Sequence, residues 1–174
     1  MKFWLPVVPN QVFDTSETGK ASKLRTFDLY QDNNFLFYFN NDFEEVVYDS
    51  DTYQNEQGCS LTFLSHLQSV ADEVISRFRP SSKIVEVGCG KGYFFNILSD
   101  SGFFELRGFD KTYQGNDARI EKRYLNQSDF PLKADVLILR HVLEHVQNPV
   151  EFLNELCAIN GKRCHFVIEV PTTD

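Results

Sequence analysis

The run Val85-Glu86-Val87-Gly88-Cys89-Gly90-Lys91-Gly92-Tyr93-Phe94 places a carboxylate and three alternate glycines between two apolar segments. Glycine admits positive φ and lets the backbone approach a ligand without a Cβ clash, and a helix that starts there points unsatisfied N–H groups at the turn. Such a turn suits a small molecule bearing a carboxylate. The spacing is E-x-G-x-G-x-G, so the G-x-G-x-x-G pyrophosphate fingerprint is not met. Lys91 stands between glycines and is followed by Gly92 rather than Ser or Thr, which excludes a phosphate-cradling P-loop. Within the turn, Cys89 is either a small buried filler or a thiol whose pKa the helix N-terminus lowers. Asp110 ends the next apolar stretch, eighteen residues after Gly92. A carboxylate there can accept hydrogen bonds from both hydroxyls of a ribose, or it simply caps a turn.

A second group of reactive side chains, His141, Glu144 and His145, follows the apolar run Val136-Leu137-Ile138-Leu139-Arg140. His141 and Glu144 are three apart, so one helical turn puts both on the same side. A histidine titrates near neutral pH and can act as a general base; a loop histidine that caps a strand or packs on a ligand is the alternative. His66 and His165 read as structural, the first on a helix and the second at the start of a strand.

The elements that must position these groups alternate. Leu61, Leu64, Leu67, Val70, Ala71, Val74, Ile75 and Phe78 recur at helical spacing and stop before Pro80. Then come a strand at Lys83 to Val87, a helix from about Lys91 to Ser101, strands at Leu106 to Phe109, Ile120 to Tyr124 and Asp135 to Leu139, and a last strand at Cys164 to Val170. Before that last strand, Asn148, Pro149 and Glu151 provide an N-cap, a first-turn proline and a capping-box acid for a helix through about Ile159. This order predicts an α/β domain with a doubly wound, mostly parallel sheet and helices on both faces. Residues 1 to 58 differ: aromatic runs at Phe35 to Phe39 and Val46 to Tyr48 are broken by Asn and Asp, which predicts a small strand-and-loop region ahead of the domain at 59–174.

At 174 residues the chain can bury a substantial core. A net charge of −8 gives no global attraction for a polyanion, so nucleic acid is not an expected partner, although Arg119, Lys122 and Arg123 form a local basic cluster. Cys59, Cys89, Cys157 and Cys164 have no C-x-x-C spacing, which points away from disulfides and zinc and toward a reducing cytoplasm. Met1 to Pro9 lacks the layout of a signal peptide and no stretch is long enough to span a membrane, so a soluble protein is expected.

From Val85 to Phe94, with Asp110, the chain resembles motif I of the class I S-adenosylmethionine-dependent methyltransferases. The stretch from Ala134 to Val146 with Asn148 and Pro149 is similar to the fourth-strand motif of that superfamily. The resemblance covers residues 83 to 171 and implies a Rossmann-like fold that binds S-adenosylmethionine. It implies cofactor contacts from Glu86, Gly88, Cys89, Gly90, Gly92, Asp110, Lys111 and Arg140, and places His141, Glu144 and His145 near the methyl group as the catalytic candidates. Lys111 and Tyr113 are expected either to flank the adenine or to form a solvated turn. Tyr93 and Phe94 are expected in the core. Gly108-Phe109-Asp110-Lys111-Thr112-Tyr113 with Gly115, the Leu139 to Pro149 run and Ile168-Glu169-Val170-Pro171 are similar to nucleotide-sugar C-methyltransferase-like proteins of polysaccharide and deoxysugar biosynthesis. A nucleotide sugar is therefore the implied small-molecule substrate.

Those relatives carry a cysteine-rich zinc segment ahead of the cofactor domain, whereas residues 1 to 58 contain no cysteine. Glu144 and His145 resemble part of the divalent-metal site of ubiquinone-pathway and small-RNA O-methyltransferases, but a further Glu of that site is replaced by His141, so no metal is expected. The superfamily sheet has seven strands and this chain reaches the fifth, which predicts an incomplete fold with an open sheet edge. Three functions compete: methyl transfer to a small metabolite, a non-catalytic S-adenosylmethionine-binding module within a larger assembly, and an RNA-directed methyltransferase.

Overall fold

The computed structural model describes residues 2–6, 14–31, 33, 38–43 and 60–171. They belong to two units, Met1–Asn55 and Glu56–Asp174.

In the first unit, β1 (Lys2–Pro6), β2 (Leu24–Gln31) and β3 (Tyr38–Asn40) form an antiparallel sheet in the order β1-β2-β3. A five-residue helix, α1 (Ser16–Lys20), precedes β2. It is absent from the expected strands and loops because its signal is a single reciprocal cap: the Thr15 side chain accepts from the Thr18 N–H and the Thr18 side chain accepts from the Thr15 N–H. Of the aromatic runs expected as strands, Tyr38 and Phe39 fall in β3, while Phe35 to Phe37 and Val46 to Tyr48 lie outside the described residues.

The second unit begins with α2 (Leu61–Arg77). Ser60 caps it by accepting from the Phe63 N–H, and Leu67, Ala71 and Val74 form its buried stripe at the i, i+4, i+7 spacing of one helical face. Leu61, the first of the apolar series, is 84 % exposed, so the packed face is narrower than the periodicity implied.

Then follow β4 (Ile84–Val87), α3 (Tyr93–Asp100), β5 (Leu106–Phe109), β6 (Ile120–Glu121), β7 (Val136–Arg140), α4 (Pro149–Asn160) and β8 (His165–Glu169). The five strands are parallel in the order β6-β5-β4-β7-β8. The chain enters the sheet at β4, moves outward through β5 and β6, and returns to the other side of β4 for β7 and β8. This reversal leaves a crevice at the carboxyl ends of β4 and β7, the place where ligands bind in open α/β sheets.

Side-chain alternation divides the core in two. Ile84, Leu106, Val136 and Ile138 pack with α2 and α3, whereas Val85, Val87, Phe109, Leu137 and Leu139 pack with Leu156 and Ile159 of α4. Covered on both faces, β4 and β7 are buried along their whole length. Each large apolar side chain so buried contributes roughly 1.5–3 kcal/mol.

Three local features shape the connections, and β6 ends at Glu121 rather than near Tyr124. The β5–β6 connection carries no α-helix, and the β6–β7 connection carries only a 3-10 turn at Gln127–Asp129. Arg119 ties the β5–β6 connection to α3 through the Ser99 hydroxyl and the Phe95 ring. The capping box of α4 is half formed: Asn148 Oδ1 accepts from the Glu151 N–H, but the Glu151 carboxylate takes the Asn148 side-chain amide instead of its backbone N–H. Finally, fully buried Asn160 ends α4 by bonding both backbone groups of Ala134 and the Lys162 carbonyl, which ties this helix to the entrance of β7.

The two arginines of the basic cluster seen in the sequence are paired with acids. Arg119 is paired with Asp117, and Arg123 with Glu121 and Asp129. Arg107 joins the same acids, and the Arg107 and Arg123 guanidinium groups both lie over the Phe109 ring. Asp129 is 3 % exposed in its side chain; the Arg123 hydrogen bond is the main cause that brings its carboxyl down to about 2. A carboxyl depressed on folding stabilises above its unfolded pKa of about 4 and loses that contribution as pH falls through about 2. Asp129→Asn is therefore expected to cost about 2–3 kcal/mol at pH 7 and to flatten stability between about pH 4 and pH 2, as measured by urea denaturation across that range.

No helix among the described residues is long and apolar enough to cross a membrane.

Candidate functional site

The turn after β4 is built from backbone conformations that glycine supplies. Gly88, Gly90 and Gly92 have φ of +74°, +56° and +82°. Gly88 donates to the Phe109 carbonyl at 2.7 Å, and Gly92 to the Cys89 carbonyl at 2.9 Å. Gly92 is the N-cap of α3, and with no side chain there the first-turn N–H groups of α3 receive no side-chain cap. A Cβ on Gly88 would overlap Val142 Cγ2, so this glycine also admits the turn that follows β7. Gly88→Ala combines left-handed strain with that overlap and is expected to destabilise the protein by about 2–4 kcal/mol, measured as a fall in thermal midpoint.

Glu86 projects from β4 onto the α2/α3 side, in register with Gly108 on β5. It is 3 % exposed, and its Oε2 is buried without a hydrogen-bond partner among the described residues. Burial pushes its pKa up to about 7, with Arg140 opposing and Asp110 adding to the shift. Cys89 turns into the core, packed against the position of Gly108. Burial, reinforced by Glu86 and Asp110, raises its thiol pKa, in keeping with a small buried filler of the turn.

Asp110 follows β5 and is half-buried. Its Oδ2 accepts from the Gly90 N–H at 2.8 Å, and its Oδ1 from the Thr112 N–H and hydroxyl, both at 2.7 Å. The carboxylate thus cross-links the glycine turn to the loop after β5 while keeping residual acceptor capacity on Oδ2. Lys111 is exposed with its ammonium 5.3 Å from the Tyr124 ring centre. Tyr113 is not in a solvated turn: it is buried in the α2/α3 core, and its hydroxyl accepts from the Asp117 N–H. Of the two residues that open α3, Phe94 is buried as expected but Tyr93 is 49 % exposed. With Lys91, Asn96, Gln114 and Gly115 it lines an open depression of about 390 Å3 beside the glycine turn.

At the end of β7, Arg140 is buried, its guanidinium 4.5 Å from the Phe94 ring centre and its Nε donating to Glu169 Oε2 at 2.6 Å. Its Nη2 is buried without a hydrogen-bond partner among the described residues. His141, at φ +52°, has Nδ1 3.5 Å from Glu144 Oε1 and Nε2 3.3 Å from Glu169 Oε1. His145 lies in the same turn; desolvation and His141 lower its pKa against the pull of Glu144. His66 on α2, read as structural from the sequence, reaches this group with Nε2 2.5 Å from Glu169 Oε1. His165 does pack structurally, against the Phe78 ring. Among the described residues no group of three or more potential ligands is arranged to hold a metal ion.

Glu169 is the functional candidate that sequence reasoning passed over, although it lies in the quoted Ile168 to Pro171 run. Its signal was a lone acid in an otherwise apolar strand, next to the strand whose end carries Arg140 and His141.

A doubly wound parallel sheet with a glycine turn at its first strand, an acid at its second and a polar cluster at its fourth defines a cofactor-type small-molecule binding domain. A family model described as a methyltransferase domain matches residues 63–174, and the chain belongs to that family. No curated protein matches the chain.

The residues present fit S-adenosylmethionine. The unpartnered Glu86 Oε2 is an acceptor suited to an ammonium group, uncapped N–H groups of α3 suit a carboxylate, and Asp110 retains a lone pair for a ribose hydroxyl.

Proposed function

We propose that this chain binds S-adenosylmethionine at the Glu86–Gly92 turn and Asp110, and transfers its methyl group to a small metabolite in the cytoplasm. The carrying observation is Glu86 Oε2, a buried acceptor with no hydrogen-bond partner among the described residues, inside a methyltransferase-family domain. Leaving such a group unpaired costs roughly 1–3 kcal/mol, which a cationic ligand would recover. The bound group supplies the electrophilic methyl; the chain's own residues hold it and orient the acceptor toward the end of β7.

The substrate class we favour is a nucleotide sugar or polysaccharide precursor. Its support is the likeness of the Gly108 to Tyr113, Leu139 to Pro149 and Ile168 to Pro171 segments to the sugar C-methyltransferase-like proteins. Pairing of Arg119 and Arg123 with acids argues against the RNA-directed reading, which needs unpaired cations for phosphates.

Calorimetric titration with S-adenosylmethionine and S-adenosylhomocysteine is expected to give saturable binding of both, with none for NADH. Transfer of labelled methyl to members of a nucleotide-sugar panel would then support the substrate class. Cofactor binding without turnover on any acceptor would favour the non-catalytic module, and absence of cofactor binding by folded protein would defeat the proposal.

A further inference from the structure

We propose that Glu169 is a positioning residue for His141, keeping the imidazole proton on Nε2 so that Nδ1 can take a proton from the methyl acceptor. The inference rests on the methyl-transfer reading above and adds a proton path to it.

His141 is the accessible member of the pair, 39 % exposed in its side chain against 16 % for Glu169. Its Nε2 lies 3.3 Å from Glu169 Oε1, and its backbone N–H donates to the Glu169 carbonyl at 2.9 Å. One residue of β8 therefore holds both the ring and the main chain of His141. Its left-handed backbone is uncommon for a residue with a side chain, and such strain persists where surrounding contacts impose it.

Glu169 is itself held from two sides. Arg140 Nε donates to Oε2, and His66 Nε2 contacts Oε1. Burial pushes the Glu169 carboxyl up, but the His66 and Arg140 hydrogen bonds outweigh it and hold the group below the usual carboxylate range. It is thus ionised at neutral pH. The charged and titratable groups around the ring are Glu169 from β8, Arg140 from β7, Glu144 and His145 from its own turn, and His66 from α2 acting through Glu169.

A neutral imidazole has one N–H and one lone pair, and the partner of one nitrogen decides which is which. Of the two carboxylates beside the ring, Glu169 is the nearer, 3.3 Å from Nε2 against 3.5 Å between Glu144 and Nδ1, and the more buried, so it keeps the proton on Nε2 and leaves Nδ1 as the acceptor. In the transfer, the acceptor's O–H, N–H or C–H proton passes to Nδ1 while that acceptor atom bonds to the methyl carbon. The carbon–sulfur bond breaks with its electron pair left on sulfur, giving a neutral thioether. The resulting imidazolium has Glu169 beside one N–H and Glu144 beside the other, so both carboxylates stabilise the charge that forms, before water takes the proton.

The test is nitrogen-15 NMR of the histidine rings at about pH 8.5, where imidazole is neutral, with His141 assigned by its absence in His141→Asn. Wild type is expected to show the Nε2–H tautomer. In Glu169→Gln, Arg140 Nε–H retains the amide oxygen at the place of Oε2, so the amide NH2 faces the imidazoles as a donor. His141 is then expected to invert to the Nδ1–H tautomer, a population change of at least about tenfold. An Nδ1–H tautomer in wild type overturns the positioning role, and this holds even if the variant does not fold. So does an unchanged tautomer in a natively folded variant. Failure of wild type to bind S-adenosylmethionine would instead defeat the methyl-transfer reading, whatever the tautomer.

Discussion

Asp110→Ala is expected to weaken S-adenosylmethionine binding by on the order of 100- to 1,000-fold. The carboxylate fixes the glycine turn through the Gly90 N–H, fixes its own loop through Thr112, and in the proposed complex accepts from the ribose. Hydrogen bonds to a charged group contribute roughly 1.5–3 kcal/mol each, so losing the ribose bond and the restraint on Gly90 removes about 3–4 kcal/mol of binding. Calorimetry of the variant, with near-ultraviolet circular dichroism as a check on folding, measures this. A decrease smaller than about fivefold in folded protein would mean that Asp110 is a loop brace and that the ribose is held elsewhere.

Arg140→Met is expected to be the most destabilising single substitution at the polar end of the sheet, by about 3–5 kcal/mol. Its guanidinium is the positive charge that pairs with Glu169 and lowers the pKa of Glu86, and all three groups are largely buried. Removing one partner of a buried ion pair leaves the remaining charge desolvated. Methionine preserves much of the volume packed on Phe94, so the loss reports mainly on charge. Adding Glu86→Gln should recover part of it, about 1–2 kcal/mol, because one of the stranded acids is then neutral. Urea denaturation of the single and double variants tests both statements, and strict additivity would show that Arg140 and Glu86 are not coupled.

The elements around the site were legible because each carries a local signal. β4, the glycine turn and α3 are written in contiguous residues, and α4 announces itself through Asn148 and Pro149. The parallel order of the sheet followed from the alternation of elements, even though two of the connections lack an α-helix. In contrast, only the contiguous part of the polar cluster, Arg140 to His145, could be read, since Glu169 and His66 join it through the pairing of β7 with β8 and the packing of the second unit. A lone histidine on a helix face carries no mark of a partner 103 residues away. Tyr113 failed for a related reason: it follows a strand-end acid in a polar loop, but the missing helix between β5 and β6 lets that loop fold its ring beneath Gly92 and Gly115.

The division of the sheet's side chains between its two faces sets a rule of parity for the chemistry. Glu86 feels the charge of Arg140 because it is an even-numbered residue of β4, in the same frame as Ile84 and aligned with Ile138 across the ladder. Deleting or inserting one residue before it in this strand would leave the composition almost untouched yet turn the carboxylate toward Leu156 and Ile159. The strand is thus tolerant of exchange among apolar residues but intolerant of a one-residue change in length. Variation among functional descendants of this chain is therefore constrained to enter through the connections at the ends of the strands.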